Sequence, residues 1–329
     1  MDIQNQNTFS DLYPEDRLTG AAAENYLESK LFSSIDELLE HPQYIMIETV
    51  NTCNSDCIMC GIDFPNKKIG RITDELFFKL IDEIKYFKNL KRLMLYLDCE
   101  PTMDKKLVNK IKYAKECGID NINIASNASL LNHKKAPEYI ESGLDEIYLT
   151  IDSLDKDTFE KIRKGLKFDI VYDNIVNFIT LRNKLNPLLK IRIQMVQQEI
   201  NYDEKDEFIR HWKELIGPND QVVVVRAHNY GNNTNVMEFG DEKAINNIPC
   251  INPWSSIVIH IDGEVGLCSM DTNETVKLGN VKEKSIIEVW NNQNYKNIRE
   301  LHLTGRRCDE PVCDGCTLWR EEKHVRNKV

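Results

Sequence analysis

From residue 43 onward the chain alternates two patterns. Short apolar, strand-like runs lie at 43–50, 90–97, 119–125, 144–151, 189–196 and 220–226. Between them, at 73–87, 105–117, 155–184 and 203–215, the spacing is that of helices. Strands alternating with helices imply a parallel sheet with right-handed crossovers, here a partial (β/α)6 TIM-like barrel in an α/β fold. Ligands of such sheets bind at the C-terminal ends of the strands.

The two ends of the chain read differently. Residues 1 to about 20 are polar, and 21–40 carry Leu27, Leu31, Ile35, Leu38 and Leu39 at near-helical spacing. An arm followed by a helix packed outside the core is expected over 1–42. After about residue 236 the elements shorten. Asp262-Gly263 between two alternating runs signals a hairpin, and 285–292 and 293–303 read as short helices. Five of the ten cysteines fall in this last segment. A thin core with many thiols implies metal as the stabiliser. The expected division is therefore 1–42, a core domain at 43–235 and a small C-terminal domain at 236–329.

Composition narrows the partners. The 329 residues are 41% hydrophobic, ordinary for a globular protein with a real core. The acidic, polar N-terminus is unlike a signal peptide, and no apolar run is long enough to span a membrane, so a cytoplasmic location is expected. In that compartment cysteines read as metal ligands or catalytic thiols rather than disulfides. The net charge of −11 argues against nucleic acid or an anionic membrane as a partner.

The densest chemistry is Cys53-Asn54-Ser55-Asp56-Cys57-Ile58-Met59-Cys60, directly after the first strand. Three thiolates on one tight loop suit an iron–sulfur cube, each iron taking a tetrahedral sulfur field. Three ligands for four irons leave one iron open for a chelating molecule. A zinc knuckle is the alternative, although zinc usually takes four ligands in paired spacing. The second constellation is the pair Cys313 and Cys316, with Cys250 and Cys268 flanking the hairpin. Four thiols close a coordination shell, for a second cluster or for a structural zinc. Cys308 is left over.

The first spacing resembles that of the radical S-adenosylmethionine (radical SAM) superfamily. The resemblance implies that the open iron chelates the amino and carboxylate groups of SAM. One electron then splits SAM into methionine and a 5′-deoxyadenosyl radical, which takes a hydrogen atom from the substrate. The segment Cys250–Cys316, with Pro253-Trp254, Asp262-Gly263, Cys268, Leu278-Gly279-Asn280 and Ile287-Glu288-Val289-Trp290, resembles the SPASM domain in its shorter twitch form. That implies one auxiliary [4Fe–4S] cluster, on Cys250, Cys268, Cys313 and Cys316. The ligand spacing is similar to that of aminocyclitol dehydrogenases.

The resemblance also assigns positions around SAM. Asp98-Cys99-Glu100-Pro101 stands where the family carries Gly-Gly-Glu-Pro, so Glu100 and Pro101 match the SAM-amino site while Asp98 and Cys99 depart from it. Ser126-Asn127-Ala128 resembles the Thr-Asn-Gly turn, and Thr150-Ile151-Asp152-Ser153 the segment that meets the ribose. Arg163 is the expected partner of the SAM carboxylate. Gln194 or Gln197 lines the pocket, alternation sending the other outward. Met59 packs near the adenine. Arg226, His228 and Asn229 end the sixth strand and are candidates to orient substrate or accept a proton.

Two enzymatic readings lead. The first is oxidation of a carbinol in a sugar, amino sugar or aminocyclitol, with the auxiliary cluster taking the last electron. The second is epimerisation or dehydration, with Cys308 or Cys99 as hydrogen donor. Maturation of a ribosomal peptide or protein is a further possibility, although 1–42 shows no clear leader-binding module. A non-catalytic cluster protein fits the open iron poorly. Each enzymatic reading requires a one-electron reductant such as flavodoxin or ferredoxin.

Overall fold

The computed structural model describes residues 18–63, 67, 69–231 and 248–316. The polar arm at 1–17 and the domain boundary near 236 lie outside the described residues. All six expected strands form: β1 (Tyr44–Ile47), β3 (Arg92–Met94), β4 (Ile122–Ser126), β5 (Glu146–Thr150), β7 (Lys190–Gln197) and β8 (Gln221–Arg226). They lie side by side in that order, every neighbouring pair parallel. The crossover helices include α3 (Asp74–Ile84), α4 (Leu107–Glu116), α5 (Ala136–Ile140) and α8 (Lys205–Leu215).

Strand alternation sorts the two faces. Ile45, Leu93, Ile124, Ile147 and Ile193 pack into one core with Phe77, Leu80, Ile111 and Trp212 of the helices. The opposite, inner face is polar. There the Arg92 and Arg192 guanidinium groups sit over the Tyr148 ring, and Arg92 pairs with Glu146. Register continues this inner row to the C-terminal strand ends, where the candidate site residues lie.

Two expected helices are broken. The 155–184 segment divides into α6 (Lys156–Ile162) and α7 (Phe168–Leu185), because Arg163–Lys164 becomes a short strand, β6. β6 pairs antiparallel with β2 (Asp56–Cys57) in the cysteine loop. Gly165 turns the chain at φ +92°, and a Cβ there would lie 3.3 Å from the Asn54 carbonyl; this is a position for glycine. The 21–40 segment divides into α1 (Gly20–Leu31) and α2 (Ile35–Glu40). Phe32 terminates α1 in the left-handed region, and Ser34 with Glu37 forms a capping box that starts α2.

The C-terminal segment extends the same sheet. The expected hairpin is β9 (Ser256–Ile259) and β10 (Glu264–Gly266), and β11 (Lys277–Asn280) pairs with β10. β9 pairs parallel with β1, giving nine strands in the order β11-β10-β9-β1-β3-β4-β5-β7-β8. α9 (Asn252–Ser255) is a short helix outside the sequence expectation, whereas α10 (Ile286–Trp290) and α11 (Gln293–Leu303) follow it. The N-terminal helices bury Leu27, Leu31 and Leu38 against Ile251 and Trp254, and the Trp290 indole donates to the Leu38 carbonyl. The helix expected outside the core thus packs on the C-terminal segment.

Candidate active site

The three-cysteine loop is anchored on two sides. Ile58 N donates to the Ile162 carbonyl, and Cys57 faces Arg163 across the β2–β6 pair. Glu100 N donates to the Thr52 carbonyl, joining the loop to the end of β3. Cys53, Cys57 and Cys60 are electrostatic neighbours. Burial pushes Cys53 up to about 11 and Cys60 up to about 12, the nearby thiols adding to the rise. Cys57 meets Ser55 Oγ at 3.0 Å and Arg163 Nη1 at 3.7 Å. A soft, sulfur-only donor set on one loop fits an iron–sulfur cluster, whose binding releases the thiol protons.

Behind this loop Arg163 is fixed. Its Nε donates to Asp152 Oδ2, and Asp152 Oδ1 accepts from Val196 N at 2.8 Å. Asp152 is fully buried, so its carboxylate is engaged with protein on both oxygens. Ser153 is also buried and donates to Glu204. Thr150 Oγ1 donates to the Ser126 carbonyl at 3.3 Å. Gln194 pairs in register with Thr150 on the inner face, whereas Gln197 turns away and donates to the Tyr202 carbonyl. Arg226 pairs with Gln197 and is exposed, so it sits with the outward row rather than the inner one. His228 follows it, half-buried.

Glu100 organises the ends of β3 and β4. Its Oε1 accepts from Thr102 N and Oγ1 and from Ser126 Oγ at 2.8 Å; its Oε2 accepts from Asn127 N at 2.7 Å. Burial raises its pKa while these bonds oppose the rise. Pro101 opens a single 3-10 turn. The Asn127 amide donates to Asn54 Oδ1, Asn54 donates to Ser129, and Ser129 donates back to Asn127. This ring of amides and hydroxyls locks the third-strand turn against the cysteine loop.

A charged network missed at the sequence level completes the inner face. Lys67 Nζ lies 3.0 Å from Asp98, 3.2 Å from Glu48 and 3.6 Å from Glu274. His260 Nδ1 lies 3.4 Å from Glu48 and 3.5 Å from Glu274. Register places Glu48, after β1, beside His260, after β9, on the inner row. Burial lifts Asp98 to about 7 against the pull of Lys67, and pushes the Cys99 thiol up, with Glu48 adding to it. An ionisable residue at the end of an apolar strand was the available signal; its partners arrive from distant segments.

The second constellation also assembles. Burial raises Cys268, with Cys313 and Cys316 contributing, and raises Cys313, with Cys250 and Cys316 contributing. Cys268 is thus an electrostatic neighbour of Cys313 and Cys316, and Cys313 of Cys250 and Cys316, again a sulfur-only donor set. Cys308 stands on the separate 3-10 turn Arg307–Asp309. His302, buried on α11, accepts from Cys250 N at 3.0 Å through Nδ1 and has Cys313 Sγ 3.7 Å from Nε2. Loops of both constellations touch, Thr272 Oγ1 donating to the Gly61 carbonyl, and the end of β8 joins the second of them, Asn229 donating to the Gly315 carbonyl. A cavity of about 670 Å3, lined by Tyr230, Gly231, Met270, Asp271 and Val312, lies between the end of β8 and the loops of the second constellation. Tyr230 in turn neighbours Cys57, Cys60, Asp98 and Arg163.

This fold and these thiol sets define a class. The radical SAM superfamily description matches residues 47–211, and that of the SPASM iron–sulfur cluster-binding domain matches residues 250–317. The chain belongs to the radical SAM superfamily and carries a C-terminal SPASM domain. It is thus a radical SAM enzyme with a [4Fe–4S] cluster, SAM and auxiliary iron–sulfur chemistry, and it needs a reductant. It is 21% identical to the tungsten-containing aldehyde ferredoxin oxidoreductase cofactor-modifying protein of Pyrococcus furiosus over 84% of this chain and 87% of that one. It is 25% identical to the S-adenosyl-L-methionine-dependent 2-deoxy-scyllo-inosamine dehydrogenase of Niallia circulans, over 45% of this chain and 59% of that protein. Among solved structures, BtrN in complex with AdoMet and 2-DOIA superposes with a TM-score of 0.56 at 19% identity, covering 84% of this chain and 93% of that one.

Proposed function

We propose that this protein oxidises a carbinol of a small polar substrate (a sugar, amino sugar or aminocyclitol) to a ketone. Cys53, Cys57 and Cys60 hold the SAM-binding cluster, and Cys250, Cys268, Cys313 and Cys316 hold one auxiliary cluster. When bound, these groups supply a 5′-deoxyadenosyl radical and a one-electron acceptor. The substrate carbon loses a hydrogen atom, its hydroxyl loses a proton, and the remaining electron leaves; two electrons are removed in all. Glu100, Pro101 and Asn127 frame SAM on one side, and Thr150, Gln194 and Arg163 on the other, with Asp152 holding Arg163 in place. The proton leaves through Glu48, His260 and Glu274, the last of which lines a second cavity of about 360 Å3. Flavodoxin or ferredoxin is the proposed reductant. A cytoplasmic location is part of this proposal; no described helix is long and apolar enough to cross a membrane.

The observation that carries this reading is the direct bond between the two thiol-bearing loops, Thr272 Oγ1 to the Gly61 carbonyl, beside the charged wall in which Glu274 meets Lys67 and His260. An electron acceptor close to the radical site favours oxidation, and a charged wall favours a polar substrate. The test is 5′-deoxyadenosine formation by anaerobically reconstituted enzyme with SAM and reductant, alone and with sugars, aminocyclitols and peptides. A rise with a polyol, and a product two mass units lighter, is the expected result. A rise with peptides alone would overturn the substrate class.

One observation favours a second reading, epimerisation. Cys99 has Cys53, Glu48 and Lys67 as electrostatic neighbours and is kept as a protonated thiol by burial, the state that donates a hydrogen atom. An epimerised product would keep its mass in water and gain one deuterium in heavy water. That outcome, abolished in Cys99→Ala, would replace oxidation.

A further inference from the structure

The polarity of one histidine in the auxiliary site is fixed by its partners. Cys250 N is a backbone donor and has no lone pair to offer, so His302 Nδ1 accepts at 3.0 Å and carries no proton. The ring is then neutral, and its proton is on Nε2. Cys313 Sγ lies 3.7 Å from that Nε2. A protonated nitrogen cannot ligate metal, so the same geometry that excludes His302 as a ligand makes it a donor to the Cys313 sulfur. The ring has little freedom to do otherwise. His302 is 1% exposed, and the Trp254 ring packs edge-on against it at 6.0 Å.

We propose that His302 is a positioning residue for the auxiliary cluster: its Nε2–H donates to Cys313 Sγ and raises the cluster's reduction potential. Hydrogen bonds to ligating sulfurs stabilise the added negative charge of the reduced state. The bond therefore favours the direction the proposed oxidation requires, electron transfer from substrate to cluster. The inference rests on the reading of Cys313 as a ligand.

Two short side chains separate the two bonds His302 makes. His302→Asn keeps an acceptor for Cys250 N and loses the reach to sulfur. His302→Gln keeps a donor near sulfur and loses the acceptor. His302→Phe loses both. The measurement is the midpoint potential of the auxiliary cluster by EPR-monitored redox titration of the full chain. Iron and sulfide are counted in each variant, and SAM is added to mark the other cluster's signal. The expected result is a negative shift in the Asn and Phe variants and a potential near wild type in Gln. Equal potentials in all three, or an equal shift in all three, would overturn the proposal. A second readout uses the wild type alone, labelled with 15N-histidine. A weak nitrogen coupling at the reduced auxiliary cluster is expected, and a coupling of the size of a ligated imidazole, or none, would overturn it. Cys313→Ala with a full iron complement would instead remove the ligand reading, a failure distinct from an unchanged potential in His302→Asn.

Discussion

Asp152 shows how a single residue determines the geometry beside the first thiol set. It is fully buried and holds Arg163, whose other end reaches Cys57. Removing one partner of a buried pair leaves an uncompensated charge, so Asp152→Ala should cost ~3–5 kcal/mol in denaturant-induced unfolding. A loss below about 1 kcal/mol, the surface-pair range, would show that the pair is dispensable. Asp98 makes a different residue-level prediction. Burial lifts it to about 7, above its unfolded value of about 3.9. The folded state then holds the proton through that window, and stability falls as pH rises across it. His260 is also raised, chiefly by its bond to Glu48 against desolvation. Its share is present below the ordinary histidine value of about 6.5 and is likewise lost as pH rises past it. Asp98→Asn should therefore flatten the decline of melting temperature between about pH 5 and 7; an unchanged slope would remove Asp98 from the pH response. Legibility differs sharply among these residues. The cysteines are readable because their spacing is local. Glu48 and His260 lie 212 positions apart, and only strand pairing makes them neighbours.

Elements were readable where one period persists and unreadable where a tertiary partner interrupts it. The six core strands carry their own alternation, and each appears in the structure. The break at Arg163–Lys164 has no periodic signature, since it exists to pair with the cysteine loop. The same holds for β9. Its sequence announces a hairpin, and β10 supplies one, but its other edge adds to β1 in parallel register. Nothing local specifies that edge. Being central, β9 has both edges in use, so a proline within it must remove a ladder bond. Val258→Pro should destabilise the protein by about 2 kcal/mol or more, since a carbonyl inside the sheet loses its donor. It should also separate Glu48 from His260, which the pH profile of stability would report. A variant with wild-type stability would mean that β9 does not depend on its neighbours. Gly266 serves the same junction: a Cβ there would lie 2.8 Å from His260 Nε2.

The whole molecule joins its two thiol sets through one continuous sheet. That continuity separates what metal holds from what the sheet holds. β1 and β9 are interior strands, bonded on both sides and packed in the main core through Ile45, Ile47, Ile257 and Ile259. The segment 307–316 has only a 3-10 turn, short turns and few buried apolar groups, Val312 among them. With the ligands proposed above, its order depends on Cys313 and Cys316 being tied to Cys250 and Cys268, since metal binding free energy is folding free energy for such a segment. Iron removal by an anaerobic chelator should therefore act locally. Amides of 307–316 should lose protection in hydrogen-exchange mass spectrometry, while those of β1 and β9 should keep theirs. The Asn229–Gly315 bond carries the effect to the end of β8, so 227–231 should open next. Uniform loss across the nine strands would mean that the clusters hold up the core itself. Protection unchanged at 307–316 would mean that the thiols do not organise that segment at all.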